Sequence, residues 1–200
     1  MKKVYAVKKG KKTGIFYDWD EVKELISGFS GAEYKGFKTE KEAEEYLFGS
    51  ATQLSFEDNN IDELVAYVDG SFNSEKNMYS YGAVLIFKGE IIEMLSGSAC
   101  KEDGVKMRNV AGELLGSVTA IRYAIKNGYK KLKIYHDYEG IGKWAEGKWK
   151  TNLLSTQKYK EYFDSVKDKI NIEFVKVPAH SGVLYNEMAD KLAKEAFLKD

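Results

Sequence analysis

The sequence contains very little cysteine, with Cys100 the single one in 200 residues. One cysteine cannot form a disulfide within the chain, and the absence of a Cys/His cluster removes the usual pattern of a zinc site. We therefore expect a reducing, cytoplasmic setting. In that setting Cys100 is expected to serve as a small buried hydrophobic residue.

Long apolar runs and net charge are also missing. No stretch is apolar enough to span a bilayer, and the basic start MKKVYAVKKGKK lacks the apolar segment of a secretory signal. The 31 basic and 31 acidic side chains cancel, which argues against a uniformly basic nucleic-acid binder. A local basic patch is still possible, because six lysines crowd the start: Lys2, Lys3, Lys8, Lys9, Lys11 and Lys12.

Residues 1–48 have the pattern of a small α+β domain. The stretches VYAV, IFY and AEYKGF predict three short strands. DWDEVKELISGF predicts a helix capped by Asp18 or Asp20. Thr39 and Glu42 have the spacing of a capping box and predict the start of a second helix.

Residues 49–62 are polar and aperiodic and are interpreted as a linker. Residues 63–200 then predict three antiparallel strands followed by helix, strand, helices, strand and helix, with a tight hairpin at Gly89-Glu90 and a helix cap near Ser155. This order is typical of an α/β fold with a mixed five-stranded sheet and flanking helices. The first long helix is expected to bury a stripe of large apolar residues: Leu114, Leu115, Val118, Ile121 and Ile125.

Four carboxylates occupy positions where an apolar side chain would be easier to accommodate. Asp69 and Asp137 end apolar strand-like runs, whereas Glu113 and Asp190 lie among apolar residues of predicted helices. Each alone is most simply a turn or helix-surface residue. Gathered at one sheet edge they would repel one another, and bound Mg²⁺ or Mn²⁺ would relieve that cost.

Four segments resemble, in order, the catalytic motifs of the type-1 ribonuclease H family. They are YVDGSFN, MRNVAGELLGSVTAI, IYHDYEGIGKW and FVKVPAHSGVLYNEMADKLAKEA, within residues 64–198. Related proofreading exonucleases place Asp-x-Glu on the first strand, which Gly70-Ser71 does not match. Transposases and integrases usually end the set with Glu, whereas Asp190 stands here.

The resemblance implies an endonuclease that hydrolyses the RNA strand of RNA–DNA hybrids and leaves 3′-hydroxyl and 5′-phosphate ends. It implies that Asp69, Glu113, Asp137 and Asp190 hold two Mg²⁺ ions, for which Mn²⁺ is the substitute. His180 matches a loop histidine that assists proton transfer or product release. A shuttle role suits a side chain that titrates near neutrality.

Ser71 and Asn109 match substrate-binding positions, and Asn109 would read the minor groove of the hybrid. Arg108 stands where the family often has a phosphate-binding Thr. Asn186 could orient a metal-bound water or cap its helix, and we interpret it as the cap. The segment GKWAEGKWKTNLLST is too short for the basic protrusion of the better-known bacterial members, so weaker hybrid binding by this domain is expected.

Residues 4–47 resemble the hybrid-binding domain found at the N-terminus of many ribonucleases H of this type. Its match places a binding surface for RNA–DNA hybrids, and for double-stranded RNA as a second partner, on five residues: Tyr5, Trp19, Tyr34, Lys35 and Phe37. Aromatic rings can stack on sugars or bases and lysines can neutralise phosphates. Some of these rings could instead form the small core. Gly36 stands where a second basic residue is common.

Two other functions remain open. The chain could be a catalytically inactive protein that binds hybrids or double-stranded RNA, or a related superfamily nuclease that cuts DNA. The presence of all four acidic positions favours the enzyme. We expect a monomer that does not bind membranes.

Overall fold

The computed structural model describes residues 3–11, 14–39, 42–43, 46, 63–178 and 184–198. The chain divides into two compact units, the first made mainly of residues 1–57 and the second mainly of residues 58–200. The predicted linker and His180 lie outside the described residues. None of the helices in the described ranges combines the length and the apolar character needed to cross a bilayer.

The N-terminal unit is a three-stranded antiparallel sheet with a helix. Its elements are β1 (Val4–Lys9), β2 (Gly14–Phe16), α1 (Trp19–Ile26) and β3 (Glu33–Phe37), with strand order β2-β1-β3. The Asp18 carboxylate caps α1 by accepting the Asp20 N–H at 2.8 Å. Val22 of α1 is fully buried and packs with Val7 and Phe16, as the amphipathic pattern predicts.

The predicted capping box is present after β3. The Thr39 N–H donates to Glu42 Oε2 at 3.3 Å, and the Glu42 N–H donates to Thr39 Oγ1 at 3.2 Å. Ala43 is buried with Val4 and Ala6 on the face of the sheet opposite α1. The small sheet is therefore covered on both faces, which gives this short unit two thin apolar layers.

The larger unit has the predicted mixed five-stranded sheet with flanking helices. Its elements are β4 (Leu64–Asn73), β5 (Met78–Phe87), β6 (Glu90–Ala99), α2 (Glu102–Val105), α3 (Asn109–Lys126), β7 (Lys131–His136), α4 (Gly140–Ala145), α5 (Leu154–Val166), β8 (Asn171–Lys176) and α6 (Leu184–Glu195). The strand order is β6-β5-β4-β7-β8. The pairs among β4, β5 and β6 are antiparallel, and β7 lies parallel to both β4 and β8. In the parallel pair, Leu64 lies opposite Leu132.

The sheet-facing surface of α3 differs from the predicted stripe. Of the five large apolar residues expected there, Leu114 and Ile121 are buried, whereas the other three are only partly buried. Small residues form most of the rest of the buried face. A Cβ added at Gly112 would lie 1.9 Å from the Ser80 carbonyl oxygen. The helix backbone thus rests directly on the strands, where a large side chain has no room.

Several local predictions need correction. The hairpin turn is Lys88-Gly89, both with positive φ, and Glu90 already pairs with Phe87 in the ladder. This is the arrangement of a two-residue type I′ turn. The hydroxyl of Thr156 caps α5 by accepting the Leu153 N–H at 3.3 Å, whereas Ser155 donates to Asp103. Two further features differ from expectation: α2 was not predicted, and Cys100 is exposed.

Candidate active site

Asp69 lies inside a strand and not at a turn. β4 continues past it to Asn73, and Asp69 pairs with Gly82 of β5. Asp137 directly follows the last residue of β7. Since Tyr67 lies opposite Tyr135 in the parallel pair, the two aspartates occupy equivalent positions two residues farther along neighbouring strands.

Glu113 reaches these aspartates because α3 approaches β4 closely. A Cβ added at Gly70, next to Asp69, would lie 2.0 Å from the Asn109 carbonyl oxygen, and one at Gly112 would lie 2.8 Å from the Gly70 Cα. The two glycines therefore bring the first turn of α3 onto the strand. One carboxylate oxygen from each of Asp69, Glu113 and Asp137 lies within 4.8 Å of the other two.

The fourth predicted acid, Asp190 on α6, lines the same cleft as Asp69 and Asp137. The cleft has a volume of about 430 Å³ and is also lined by Gly70, Ser71, Phe72, Arg108, Asn109 and Lys194. A Cβ added at Gly82, the partner of Asp69 in β5, would lie 2.0 Å from the Ala189 carbonyl oxygen. A glycine in the sheet thus also allows the helix that carries Asp190 to approach.

The carboxylates are buried together at a cost. Burial and the neighbouring Asp137 raise the pKa of Asp69 to about 7, although Asp69 Oδ1 accepts the Gly70 N–H at 2.7 Å. Burial, with Asp137 and Asp69 nearby, raises the pKa of Glu113 to about 9. Desolvation and like charge both disfavour the ionised form. In its ionised form the cluster is therefore destabilised by burial and by repulsion between its carboxylates.

The donor set fits a hard divalent cation. Glu113 Oε2 accepts the Tyr138 N–H at 3.3 Å, whereas Glu113 Oε1 is buried and has no hydrogen-bond partner among the described residues. Such an orphaned carboxylate oxygen, close to two other carboxylates, is suited to ligate a cation that prefers oxygen. A divalent ion would also offset the charge repulsion described above.

Sequence reasoning did not identify two other residues of the cleft, Lys194 and Phe72. The Lys194 ammonium lies 2.6 Å from Asp190 Oδ2, and the i,i+4 spacing on a helix could have revealed this pair. The Arg108 guanidinium lies 5.8 Å from the centre of the Phe72 ring. Arg108 has a φ of 54°, and no sequence signal predicts that backbone conformation for an arginine.

The structure brings Ser71 and Asn109 to the cleft but places Asn186 differently from its predicted role. Asn186 is buried within α6, which begins at Leu184, so it is not the helix cap. Its Oδ1 has no hydrogen-bond partner in the part of the chain that the structure describes. His180 cannot be placed because it lies outside the described residues.

A second candidate surface lies on the N-terminal unit. The exposed Trp19 ring lies between Tyr5 and the exposed Tyr34, at centroid distances of 5.3 and 5.8 Å. Lys35 and Phe37 lie on the opposite face of β3, because side chains alternate along a strand. There Phe37 packs with Val4, Ala6 and Ala43. Three of the five predicted binding residues therefore form one surface, which we name the aromatic cluster (Tyr5, Trp19, Tyr34).

Part of the predicted lysine patch has partners inside this unit. Lys9 forms an ion pair with Glu33, and the Lys11 ammonium donates to the Glu24 carbonyl oxygen at 3.2 Å. Exposed ion pairs of this kind contribute little to stability. The Glu33 carboxylate does reduce the positive charge that Lys9 offers to a phosphate backbone, whereas Lys11 keeps its charge.

Comparison with known protein families gives two matches. Residues 3–47 match the model described as the Ribonuclease H1 N-terminal domain, and residues 50–197 match the model described as RNase H. The human protein named Ribonuclease H1 is 24% identical over 252 aligned residues, covering 96% of this chain and 88% of the human protein.

Solved structures share the fold of the larger unit. RNase H1 from the halophilic archaeon Halobacterium salinarum superimposes with a TM-score of 0.58 at 22% identity, covering 69% of this chain and 99% of that one. LC11-RNase H1, solved in complex with an RNA/DNA hybrid, gives 0.56 at 21% identity, covering 68% and 97%. At this identity the likeness establishes the fold.

Proposed function

Since this chain belongs to the ribonuclease H family, we propose that it is an endonuclease that hydrolyses the RNA strand of RNA–DNA hybrids. The observation that carries the proposal is the carboxylate cluster of Asp69, Glu113 and Asp137, whose oxygens lie within 4.8 Å of one another. The cleft around it also carries Arg108 and Asn109, a cation and an amide of the kinds that contact phosphates and base edges.

The four carboxylates Asp69, Glu113, Asp137 and Asp190 would hold two Mg²⁺ ions. When bound, two such ions would activate a water and stabilise the leaving oxygen of a phosphodiester, giving 3′-hydroxyl and 5′-phosphate ends. The protein's own contribution is to hold the carboxylates in place before substrate arrives. We assign Ser71 and Asn109 to substrate contact and His180 to proton transfer or product release, as the family resemblance implies.

The aromatic cluster would bind the hybrid without taking part in the chemistry. It lies in the unit that carries none of the four carboxylates, and Trp19 is 41% and Tyr34 42% exposed. Exposed rings that contact one another can stack on bases or sugars. Lys35, on the other face of β3, would reach a phosphate only if the nucleic acid passes the edge of the sheet.

A substrate panel tests the function directly. We expect Mg²⁺-dependent cleavage of a labelled RNA–DNA hybrid and of a duplex with four consecutive ribonucleotides, but no cleavage of an all-DNA duplex, since the 2′-hydroxyl marks the RNA strand. The 3′ and 5′ ends of the products are identified by susceptibility to phosphatase and by ligation.

The same panel separates the alternatives. Efficient cutting of the all-DNA duplex would favour a nuclease that acts on DNA. Hybrid binding without cleavage, in Mg²⁺ and in Mn²⁺, would favour the inactive binder of hybrids or double-stranded RNA. Either result would contradict the proposed activity.

A further inference from the structure

His136 is a buried polar residue directly beside the carboxylate cluster. It ends β7, immediately before Asp137, and only 2% of its surface is exposed. Its Nδ1 lies 3.0 Å from the Tyr138 carbonyl oxygen. Because a carbonyl oxygen can only accept, Nδ1 carries the proton in this contact, whether the ring is neutral or charged. This hydrogen bond therefore joins the side chain of the residue before Asp137 to the backbone of the residue after it.

The backbone N–H of Tyr138 contacts a carboxylate of the cluster. The Tyr138 N–H donates to Glu113 Oε2 at 3.3 Å. Tyr138 is thus held at its carbonyl by His136, while its N–H holds Glu113. Rotation of this backbone segment would break both contacts, so the orientation of Glu113 depends on the hydrogen bond made by the His136 ring.

The imidazole itself is fixed from several sides. The Phe174 ring of β8 meets it edge-on, with centroids 6.0 Å apart. A Cβ added at Gly142 of α4 would lie 3.6 Å from Nε2, so the helix backbone lies against the ring. The His136 carbonyl oxygen accepts the Val177 N–H at 2.8 Å. A ring packed in this way holds its donor in one direction.

We propose that His136 is a positioning residue for the carboxylate cluster, acting through the backbone of Tyr138 on Asp137 and Glu113. The inference rests on the proposed function only in that these carboxylates are taken as metal ligands. Groups that orient metal ligands typically affect metal affinity or activity by about 10- to 100-fold. A residue that merely filled space in the core would affect stability instead.

Three substitutions of His136 distinguish these roles. H136N keeps an N–H donor close to the position of Nδ1, H136Q moves the donor toward the position of Nε2, and H136L retains bulk without a donor. F174L is the matched control, since it loosens the packing of the ring and leaves the hydrogen bond possible. Each variant is measured in the full-length chain for melting temperature, amide hydrogen exchange at Tyr138, Mg²⁺ affinity by calorimetry, and kcat and KM on a hybrid.

We expect H136L and H136Q to lose protection of the Tyr138 amide in metal-free protein, while the amide of Ile134 in β7 stays protected. Their Mg²⁺ affinity should fall about 10- to 100-fold, and kcat should fall while KM stays within about twofold. H136N should recover most of the loss. F174L should lower the melting temperature and change Mg²⁺ affinity much less than H136L does, because the Nδ1–H donor is retained.

Other outcomes would overturn the proposal. If F174L lowers Mg²⁺ affinity as much as H136L, or if H136N is no better than H136Q, the ring acts by packing alone. Unchanged protection of Tyr138 in H136L would also contradict it. If H136L does not fold, the comparison of H136N with H136Q decides. Exchange and calorimetry use no nucleic acid, so an unmodified protein inactive on hybrids would contradict the proposed function separately.

Discussion

At the scale of single residues, the buried acids are the feature with the largest energetic consequence. Asp69 and Glu113 are 7% and 0% exposed and lie beside Asp137. Burial of like charges destabilises the metal-free protein unless protons or cations neutralise them. The site therefore lowers the stability of the metal-free protein, a loss that a bound divalent cation would offset, and substitutions should separate the effects on stability and on activity.

Asp69→Asn should reduce hybrid cleavage in Mg²⁺ by at least about 100-fold. The asparagine amide has nearly the same shape as the carboxylate but lacks the negative charge with which Asp69 would bind the metal ion. In EDTA at pH 8 the same variant should melt higher, by roughly 3–8 °C, since one buried charge is gone. Activity assays and thermal melts measure both effects. Asp168→Asn, at an exposed position, is the control and should change neither. Near-normal cleavage by Asp69→Asn would contradict the assignment of this ligand.

The pH dependence of stability follows from the same groups. The pKa of Asp69 is raised from 3.8 to about 7 and that of Glu113 from 4.5 to about 9, so the folded metal-free protein binds more protons than the unfolded chain in that range. The contribution of these two groups to the free energy of unfolding is fully present below the ordinary carboxyl pKa, and it is lost as pH rises toward about 9. We expect the melting temperature in EDTA to fall between pH 5 and pH 9.

The fall should be smaller in Asp69→Asn and Glu113→Gln, and saturating Mg²⁺ should reduce it in the unmodified protein. Thermal melts across this pH range, with EDTA or with Mg²⁺, are the measurement. A curve that is flat or rises in EDTA, or one that the two substitutions leave unchanged, would contradict the raised pKa values.

Prediction from sequence was most successful where residue order carries the information. Asp69, Glu113, Asp137 and Asp190 were predicted from their motifs to lie at one site, and the structure brings the first three together. The positive φ of Arg108, the partial burial of Phe37 and the exposure of Cys100 depend on contacts between distant segments. Local patterns do not specify such contacts.

At the scale of secondary-structure elements, glycines decide how helices meet the sheet. Gly70 and Gly112 bring α3 onto β4, and Gly82 brings α6 onto β5. The five strands and their succession along the chain were predictable, because apolar alternation and turn residues are local signals. The close contact of α3 with the sheet was not predictable, because the apolar stripe seen in the sequence does not reveal which small residues of the helix meet the strands.

Gly112→Ala should be strongly destabilising, by about 3 kcal/mol or more, because its Cβ would lie 1.9 Å from the Ser80 carbonyl oxygen and α3 must move to accommodate it. Movement of α3 should also displace Glu113 and reduce cleavage. Gly116→Ala on the same helix is the control. Its Cβ would have contacts of 3.4 Å or more, and alanine favours helix by about 1 kcal/mol. Urea unfolding measures the stability of both variants, and an equal loss of stability in the two would contradict the close-contact argument.

At the scale of the whole molecule, the two units divide binding from chemistry in our proposal. The aromatic cluster lies in one unit and the four carboxylates in the other. The short segment between α4 and α5, Glu146–Leu153, leaves no room for a further basic helix at this position of the chain. Affinity for long hybrids should therefore depend on the N-terminal unit.

Trp19→Ala should raise KM for a long hybrid several-fold and leave kcat unchanged, since it removes binding that is equal in the ground and transition states. Loss of one stacked base costs about 1–3 kcal/mol. Phe29→Ala is the control, because Phe29 is similarly exposed at 40% but makes no ring contact with the aromatic cluster in the described structure. Steady-state kinetics on one hybrid compares them. A fall in kcat, or equal effects of both substitutions, would contradict the division of roles.

The parallel pairing of Leu64 with Leu132 has a consequence for folding kinetics. This contact joins segments far apart in sequence, and forming it requires closure of a long loop, which makes such pairings slow. Asp69 and Asp137 approach each other only when β7 has joined β4. Their repulsion should therefore raise the free energy of the native state and not that of the transition state for folding. We therefore expect Asp69→Asn to slow unfolding without accelerating refolding. A bound divalent ion would by the same reasoning lengthen the lifetime of the folded state against proteolysis.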